Sequence, residues 1–249
     1  MKRFLLTVTA IAATFCPAAA AQTDTYLYKA MFVRAAPGKL LDLIALYKER
    51  MPVYDAAGDA RPFWMRHSQG DQWDIMFLFP LGSWSEYFSK ERMAKRDEAG
   101  NKAKVPQSEF ARRFYNAVSW HEDLFVEGPP LETVRKSWEG AGFFHVEIFI
   151  SLAGKQAELR KEREMENAYL VGIGRKPNLI FSHDQGAAWD LFTIGFYRDL
   201  KHYAESADVP EAKRESAAKA AGFDNADAIG PYLRSLIASH HDTLAVTIK

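Results

Sequence analysis

The chain has 249 residues, of which 48% are apolar, and its 32 basic and 32 acidic side chains leave no formal net charge. That balance gives no electrostatic case for nucleic acid or an anionic membrane surface. Its one cysteine, Cys16, lies in the opening segment, so the remainder has no disulfide, thiol nucleophile or thiolate metal ligand.

Lys2 and Arg3 open the chain, Phe4 to Phe15 is a short apolar run, and Ala19-Ala20-Ala21 supplies small residues for cleavage. Residues 1–21 therefore read as an export signal, with a mature protein starting at Gln22 in the periplasm or outside the cell. Phe15 is too bulky to precede a lipidated cysteine, and the apolar run falls short of the ~20 residues that span a bilayer. No later segment is apolar enough to insert. Once the signal is removed, acidic side chains exceed basic ones by two.

A strand is expected over Tyr26 to Arg34, then a Pro37-Gly38-Lys39 turn. A helix from Leu40 to Met51 follows, with Leu40, Leu43, Ile44, Tyr47 and Met51 on one face. Gly58 and Pro62 stop it. Phe63 to Ser68 and Trp73 to Phe79 flank Gln69-Gly70 and predict a hairpin. Ser83-Trp84-Ser85-Glu86 is a capping box. The charged run Lys90 to Lys104 reads as a solvated helix broken by Pro106; a helix with Phe110, Phe114 and Val118 inward and a strand at Leu124 to Glu127 complete the unit. Residues 128–141, rich in glycine and proline, read as a linker.

The sequence then repeats itself. His67-Ser68-Gln69-Gly70-Asp71-Gln72-Trp73-Asp74 returns 116 residues later as His183-Asp184-Gln185-Gly186-Ala187-Ala188-Trp189-Asp190, five of eight positions being identical. Gly38-Lys39, Leu43, Gly58 and Tyr87 recur at the same offset, and Ser119 to Val126 matches Ser239 to Val246 at an offset of 120. The domains expected are thus 22–127 and 142–249. In the second, the helix Gln156 to Leu170 is far more charged, keeping Leu159, Met165, Tyr169 and Leu170 as apolar anchors; its run from Glu158 to Glu166 reads as a solvated face. Strands at Leu179 to Ser182 and Trp189 to Phe196, a cap at Asp199 and a strand at Leu244 to Thr247 follow.

Two βαββαβ units of this kind predict an α+β protein of two ferredoxin-like units in tandem. Each sheet would have helices on one face and Trp73, Ile75 and Phe77 on the other, which a second copy can cover. The PGK turn, the aromatic hairpin and the capped helix resemble the dimeric α+β barrel superfamily, in its NIPSNAP-like or antibiotic-monooxygenase-like form. The resemblance implies an intrachain barrel packed sheet to sheet around a cavity. Its members bind haem or aromatic polyketides, act as monooxygenases, or have no known activity, so the fold leaves the function open.

A four-residue turn with slight irregularity would bring His67 to face Asp74, and likewise His183 to face Asp190. A carboxylate beside an imidazole makes a general base or a metal ligand; the alternative is a staple that holds the turn. Were the first and third strands of a unit parallel neighbours, His145, Glu147, His183 and Asp190 would gather at one end as a metal site. Lys29, Met31, His67 and Asp74 would stand there in the first unit, with lysine repelling a cation. His121-Glu122-Asp123 and His240-His241-Asp242 are expected at the opposite end, as solvated strand entrances.

Three functions stay open: a small apolar or aromatic ligand held between the sheets by Trp73, Phe77, Trp189 and Phe192; an oxygenase, haem-dependent or cofactor-free, using His183 and Asp190; or an assembly role with Trp64 and Trp84 turned to a partner. The residues specify no cofactor, and both a monomer and a homodimer are compatible with them.

Overall fold

The computed structural model describes residues 25–249, and the expected export signal lies outside them. In the first half, β1 (Tyr26–Ala35) leads through α1 (Leu40–Ala57) to the hairpin of β2 (Phe63–Gln69) and β3 (Ile75–Gly82). Helices α2 (Trp84–Tyr87), α3 (Lys90–Lys102) and α4 (Gln107–Ala117) then precede β4 (Val118–Gly128). After α5 (Leu131–Trp138) come β5 (Phe143–Ser151), α6 (Gln156–Gly172) and the hairpin of β6 (Leu179–Gly186) and β7 (Leu191–Tyr197). The chain ends with α7 (Leu200–Ala204), α8 (Glu211–Ala221), α9 (Ile229–Arg234) and β8 (Ile237–Thr247).

The strands close into one barrel in the order β1-β3-β2-β8-β5-β7-β6-β4. Both halves pair as fourth-first-third-second, and the joins between them are β2 to β8 and β6 to β4. All pairings among the described residues are antiparallel. This corrects the expectation of parallel first and third strands. The helical crossover returns the second strand in the direction of the first, and the hairpin then reverses the chain, so the third runs against the first. Val33 accordingly faces Ile75, and Phe149 faces Leu191.

Alternation divides the side chains between two faces. Tyr28, Ala30 and Phe32 of β1 point into the barrel, as do Met76 and Leu78 of β3, Phe144, Val146 and Ile148 of β5, and Phe192 and Ile194 of β7. Ile75 and Phe77 point the other way, onto α1, where Tyr47 lies 4.1 Å from the Phe77 ring. Placing them on the free face was a one-residue error of phase, which in a strand exchanges the two faces.

The interior is filled. Trp73, Phe32 and Phe192 interlock edge to face, Phe181 stacks on Phe192 at 4.7 Å, and Tyr28 meets Phe181 at 5.5 Å. A void large enough for a ligand would leave part of these rings bare, yet none of the five exceeds 1% exposure. The expected linker supplies the seal at one end. Its α5 buries Val134 and packs Trp138 onto Phe63, Phe144 and Phe196, and the Tyr28 hydroxyl donates to the Pro129 carbonyl at 2.7 Å. Pro130 is the N-cap residue of that helix, which lies within the stretch expected to be a linker.

The last strands correspond at an offset of 119, because Val33 faces His121 while Phe149 faces His240. Identities at 120 therefore join residues on opposite faces: Leu124 is interior, whereas Leu244 lies beside His145 on the outer face.

Candidate metal centre

The repeated eight-residue motif builds the barrel's joins. In each hairpin the histidine amide donates to the aspartate carbonyl, His67 to Asp74 at 2.8 Å and His183 to Asp190 at 2.9 Å. The carboxylates turn away from the imidazoles. Asp74 Oδ2 accepts from the Ala35 amide at 2.8 Å, and Asp190 Oδ2 accepts from both the amide and the hydroxyl of Ser151 at 2.8 Å. Each thus ties the end of the first strand in its half, where a backbone donor leaves the ladder. No imidazole–carboxylate pair forms between these residues, and His183 is exposed. The expected dyads are staples.

Glycine in the motif is required by close approach. Gly70 has φ 125°, and a Cβ there would lie 2.2 Å from the Asp242 carbonyl; at Gly186, φ 116°, the same atom would lie 2.6 Å from the Asp123 carbonyl. Each turn is therefore pressed against the last strand of the other half. Trp73 fills the barrel, and Trp189 meets Phe32 at 4.7 Å. Nothing in the motif needs to touch a ligand to explain its recurrence.

Chemistry gathers elsewhere, on the outer face of the second half. His145 and Glu147 are two apart on β5 and share that face, and β8 sets Asp242 opposite Glu147. One donor atom from each of the three lies within 4.8 Å of the others. His145 Nε2 donates to Asp242 Oδ1 at 3.3 Å, and His240 Nε2 lies 3.1 Å from Asp242 Oδ2. Of the residues expected to gather, His145 and Glu147 lie together with Asp242, whereas Asp190 is held by Ser151 at the far end of β5 and His183 lies away on β6. The antiparallel pairing is the reason, since it puts the start of β7 beside the end of β5.

Helix α6 covers this cluster with charge. Glu162 and Arg163 are 0% and 2% exposed, joined by two hydrogen bonds of 2.6 and 2.8 Å. Arg163 also pairs with Glu166 and lies 3.7 Å from Glu147, whose other oxygen accepts from the Thr193 hydroxyl at 3.0 Å. The run expected to be a solvated face is in part the buried face. Three carboxylates (Glu147, Glu162 and Glu166) here share one guanidinium, while Asp242 faces His145 and His240. Burial, with Glu147 and Glu162 adding and Arg163 opposing, pushes the Glu166 carboxyl up to about 7. Burial would lower His145, but the hydrogen bond to Asp242 and the nearby Glu147 and Glu166 outweigh it and raise the imidazole. Asp242 is held below the usual range, first by the hydrogen bond from His145.

The first half shows what the same places look like without such a cluster. Counting from the corresponding N-caps, Lys39 and Lys155, the residues at Glu162, Arg163 and Glu166 are Leu46, Tyr47 and Arg50. The strands likewise exchange Glu147 for Met31 and Thr193 for Phe77. There the helix–sheet interface is apolar and aromatic. Asp123 holds the place of Asp242, and Lys29, at the place of His145, reaches it at 3.0 Å, with His121 Nδ1 2.7 Å from the same carboxylate.

The two outer tryptophans are engaged. Trp64 stacks on Phe77 at 5.5 Å beneath α1, and Trp84 Nε1 donates to Asp184 Oδ2 at 2.7 Å across the two halves. Sequence reading placed Asp242 at the entrance of the last strand, whereas β8 begins at Ile237 and sets Asp242 opposite Glu147. The signal available was the change from apolar to charged residues at α1 positions repeated in α6.

No family model matches the sequence, and no curated protein does. Solved structures do. An anthrone oxidase-like protein superposes with a TM-score of 0.55 at 12% identity, over 92% of this chain and 93% of its own. A candidate monooxygenase from Lactobacillus acidophilus NCFM gives 0.52 at 8% identity over 89% and 93%, and one from Fusobacterium nucleatum gives 0.52 at 9% over 90% and 93%. The chain has their fold. It is a ferredoxin-like α+β arrangement on an all-antiparallel sheet, and at these identities the likeness extends no further.

Proposed function

We propose that the second half of this barrel binds a divalent first-row transition-metal ion through His145, Glu147 and Asp242, with His240 as a fourth donor in reach. The carrying observation is the pair of corresponding cation places. In the first half the fold puts a lysine ammonium on Asp123; in the second it puts a neutral-capable imidazole and an extra carboxylate around Asp242. A mixed nitrogen and oxygen donor set of this kind suits iron(II), manganese(II) or zinc(II). The donor atoms lie within 4.8 Å of one another; neighbouring donors on an ion with bonds of about 2.0–2.2 Å stand roughly 3–3.6 Å apart, so the widest pair has to close by about 1–2 Å through side-chain rotation. Asp242 is 51% exposed, so coordination positions remain open on the solvent side. Bound there, an ion supplies Lewis-acid or one-electron chemistry to a small molecule.

Oxygenase-type activity is the class this reading favours. Its support is the fold shared with an anthrone oxidase-like protein and two candidate monooxygenases. We further read the chain as exported through residues 1–21, and its halves, 22–127 and 142–249, as products of a duplication within the antibiotic-monooxygenase-like or NIPSNAP-like range. Support for the duplication is the recurrent motif and the common strand order.

Metal analysis and calorimetry of the purified protein test the proposal. One equivalent of manganese(II), iron(II) or zinc(II) per chain is expected, abolished by Glu147→Ala or Asp242→Ala and retained by His183→Ala. Absence of binding by the folded wild-type protein defeats it. A second reading, a small aromatic ligand between the sheets near Trp73, Trp189 and Phe192, keeps one observation in its favour. His67 Nε2 and Trp73 Nε1 are buried there and hydrogen-bonded to nothing among the described residues. The filled interior weighs against it, and a Soret band in the absorption spectrum would revive it in the form of a haem site.

A further inference from the structure

We infer that the first half carries a separate site for a small aromatic carboxylate, formed between α1, α2, α3 and α4 and centred on Arg50. The observations behind it are independent of the metal cluster. A cavity of about 340 Å³ opens here, walled by Tyr54, Tyr87, Phe88 and Met93 with Arg50 and Arg96 among its polar residues. That volume stands at the small end of ligand sites, which run from about 300 to 1,000 Å³.

Arg50 is the unusual member. Its Nη2 donates to the neutral Gln107 amide oxygen, and its guanidinium carbon lies 4.7 Å from the Phe110 ring centroid. Nη1 is buried and has no hydrogen-bond partner, and no carboxylate among the described residues forms an ion pair with Arg50. Burial lowers its pKa. A planar cation with a donor left over suits an oxyanion, which reaches the covered nitrogen once the guanidinium turns toward the cavity it lines. A buried donor without a partner costs stability that a ligand oxygen would restore.

The neighbouring cations do not compete for this role. Arg92 Nε is bound to Asp59 at 2.7 Å, and Arg96 is held by the Tyr87 carbonyl and lies 3.8 Å over the Tyr87 ring. Of the two carboxylates at the cavity, Asp59 is consumed by these arginines. Asp97 is exposed, where solvent and salt screen it. Phe88 and Met93 are 49% and 46% exposed at the cavity, an apolar surface that an aromatic ring would cover. One anionic group inside and a flat apolar body against Tyr87 and Phe88 describe an aryl carboxylate better than a sugar, a phosphate or an aliphatic acid.

The probes are 2-naphthoate, its neutral analogue 2-naphthamide and acetate, titrated into the full chain by calorimetry or by protein NMR. Naphthoate should bind at least about tenfold more tightly than naphthamide, the worth of one charge-assisted hydrogen bond to a buried group, and acetate should not bind measurably. Arg50→Gln should erase the preference for the acid. Because that variant removes a packed side chain, Met93→Glu serves as the second: it adds a like charge at an exposed position, and should weaken naphthoate about tenfold without altering the melting temperature. Equal affinity for acid and amide, no naphthoate binding at millimolar concentration, or a naphthoate affinity unmoved by either variant overturns the site. Metal binding should be unaffected by Arg50→Gln, and naphthoate binding unaffected by Glu147→Ala, so each proposal fails separately.

Discussion

Lys29 and His145 stand at corresponding places on the two halves of the barrel, each reaching the carboxylate of the last strand beside it. Lys29 Nζ is 3.0 Å from Asp123, and His145 Nε2 is 3.3 Å from Asp242. One place carries a permanent cation and the other a group that is neutral or cationic according to its proton. Replacing His145 with lysine should therefore abolish metal binding while leaving the fold intact, because the ammonium neutralises Asp242 as its counterpart does Asp123. The reverse change, Lys29→His with Met31→Glu, should raise the metal content above one equivalent per chain. Elemental analysis of both purified variants decides the matter; full metal occupancy in His145→Lys would contradict it.

The buried charges of α6 make a prediction about stability. Carrying the first-half residues across as Glu147→Met, Glu162→Leu, Arg163→Tyr, Glu166→Arg and Thr193→Phe exchanges a desolvated ion network for apolar contacts. Such exchanges are commonly neutral or stabilising by about 1–4 kcal/mol. Arg163→Met alone should do the opposite and cost about 3–5 kcal/mol, since it strands Glu162 and Glu166 without their cation. Denaturant midpoints of the metal-free proteins measure both. A five-fold variant that unfolds more easily than the single one would mean that the network is structural.

How far this could be read in advance differs between elements. The succession of elements, the hairpins and the caps follow from local patterns, and the Ser83 and Asp199 caps form as the residues suggest, accepting from the Glu86 and His202 amides. The site was obscured by direction and phase. A wrong sense for β7 moved Asp190 to the cluster, a late start for β8 moved Asp242 away from it, and identities at 120 in place of 119 hid the match of Asp123 to Asp242. Charged residues on α6 looked solvated because hydropathy records what a side chain is, whereas Glu162 and Arg163 are buried by what faces them. Val134 and Trp138 of α5 were lost among prolines and glycines that signal a boundary.

The staple carboxylates give a third expectation. Asp190→Ala should destabilise by about 2–4 kcal/mol because two Ser151 donors, in a residue almost wholly buried, lose their acceptor, and unsatisfied buried groups cost about 1–3 kcal/mol each. Asp74→Ala, which frees only the Ala35 amide, should cost about half as much. Neither should alter metal affinity. A change of metal affinity in Asp190→Ala with stability preserved would return that residue to a functional role.

Proton linkage supplies the last. Glu166, at about 7, holds its proton more tightly folded than unfolded, where 4.5 is usual. A raised carboxyl favours the folded state at low pH, and that advantage disappears as pH rises from 4.5 to 7. Glu162 and His145 are also raised, with the same sign; the His145 contribution is present below 6.5 and is lost as pH passes its folded value. Asp242 is lowered, so its contribution is present above 3.8 and vanishes as pH falls further. The metal-free protein should accordingly be most stable near pH 4 to 5 and lose melting temperature toward pH 8. Glu166→Gln should flatten much of that slope. Metal ions compete with protons for the same donors, so the stabilisation given by a fixed excess of manganese(II) or zinc(II) should grow across the same interval. Melting curves at pH 4.5, 6 and 8, with and without metal, test both halves of the argument. A metal-free melting temperature that climbs from pH 5 to 7, or a metal effect that shrinks over that range, would show that the cluster's charge is balanced in some other way.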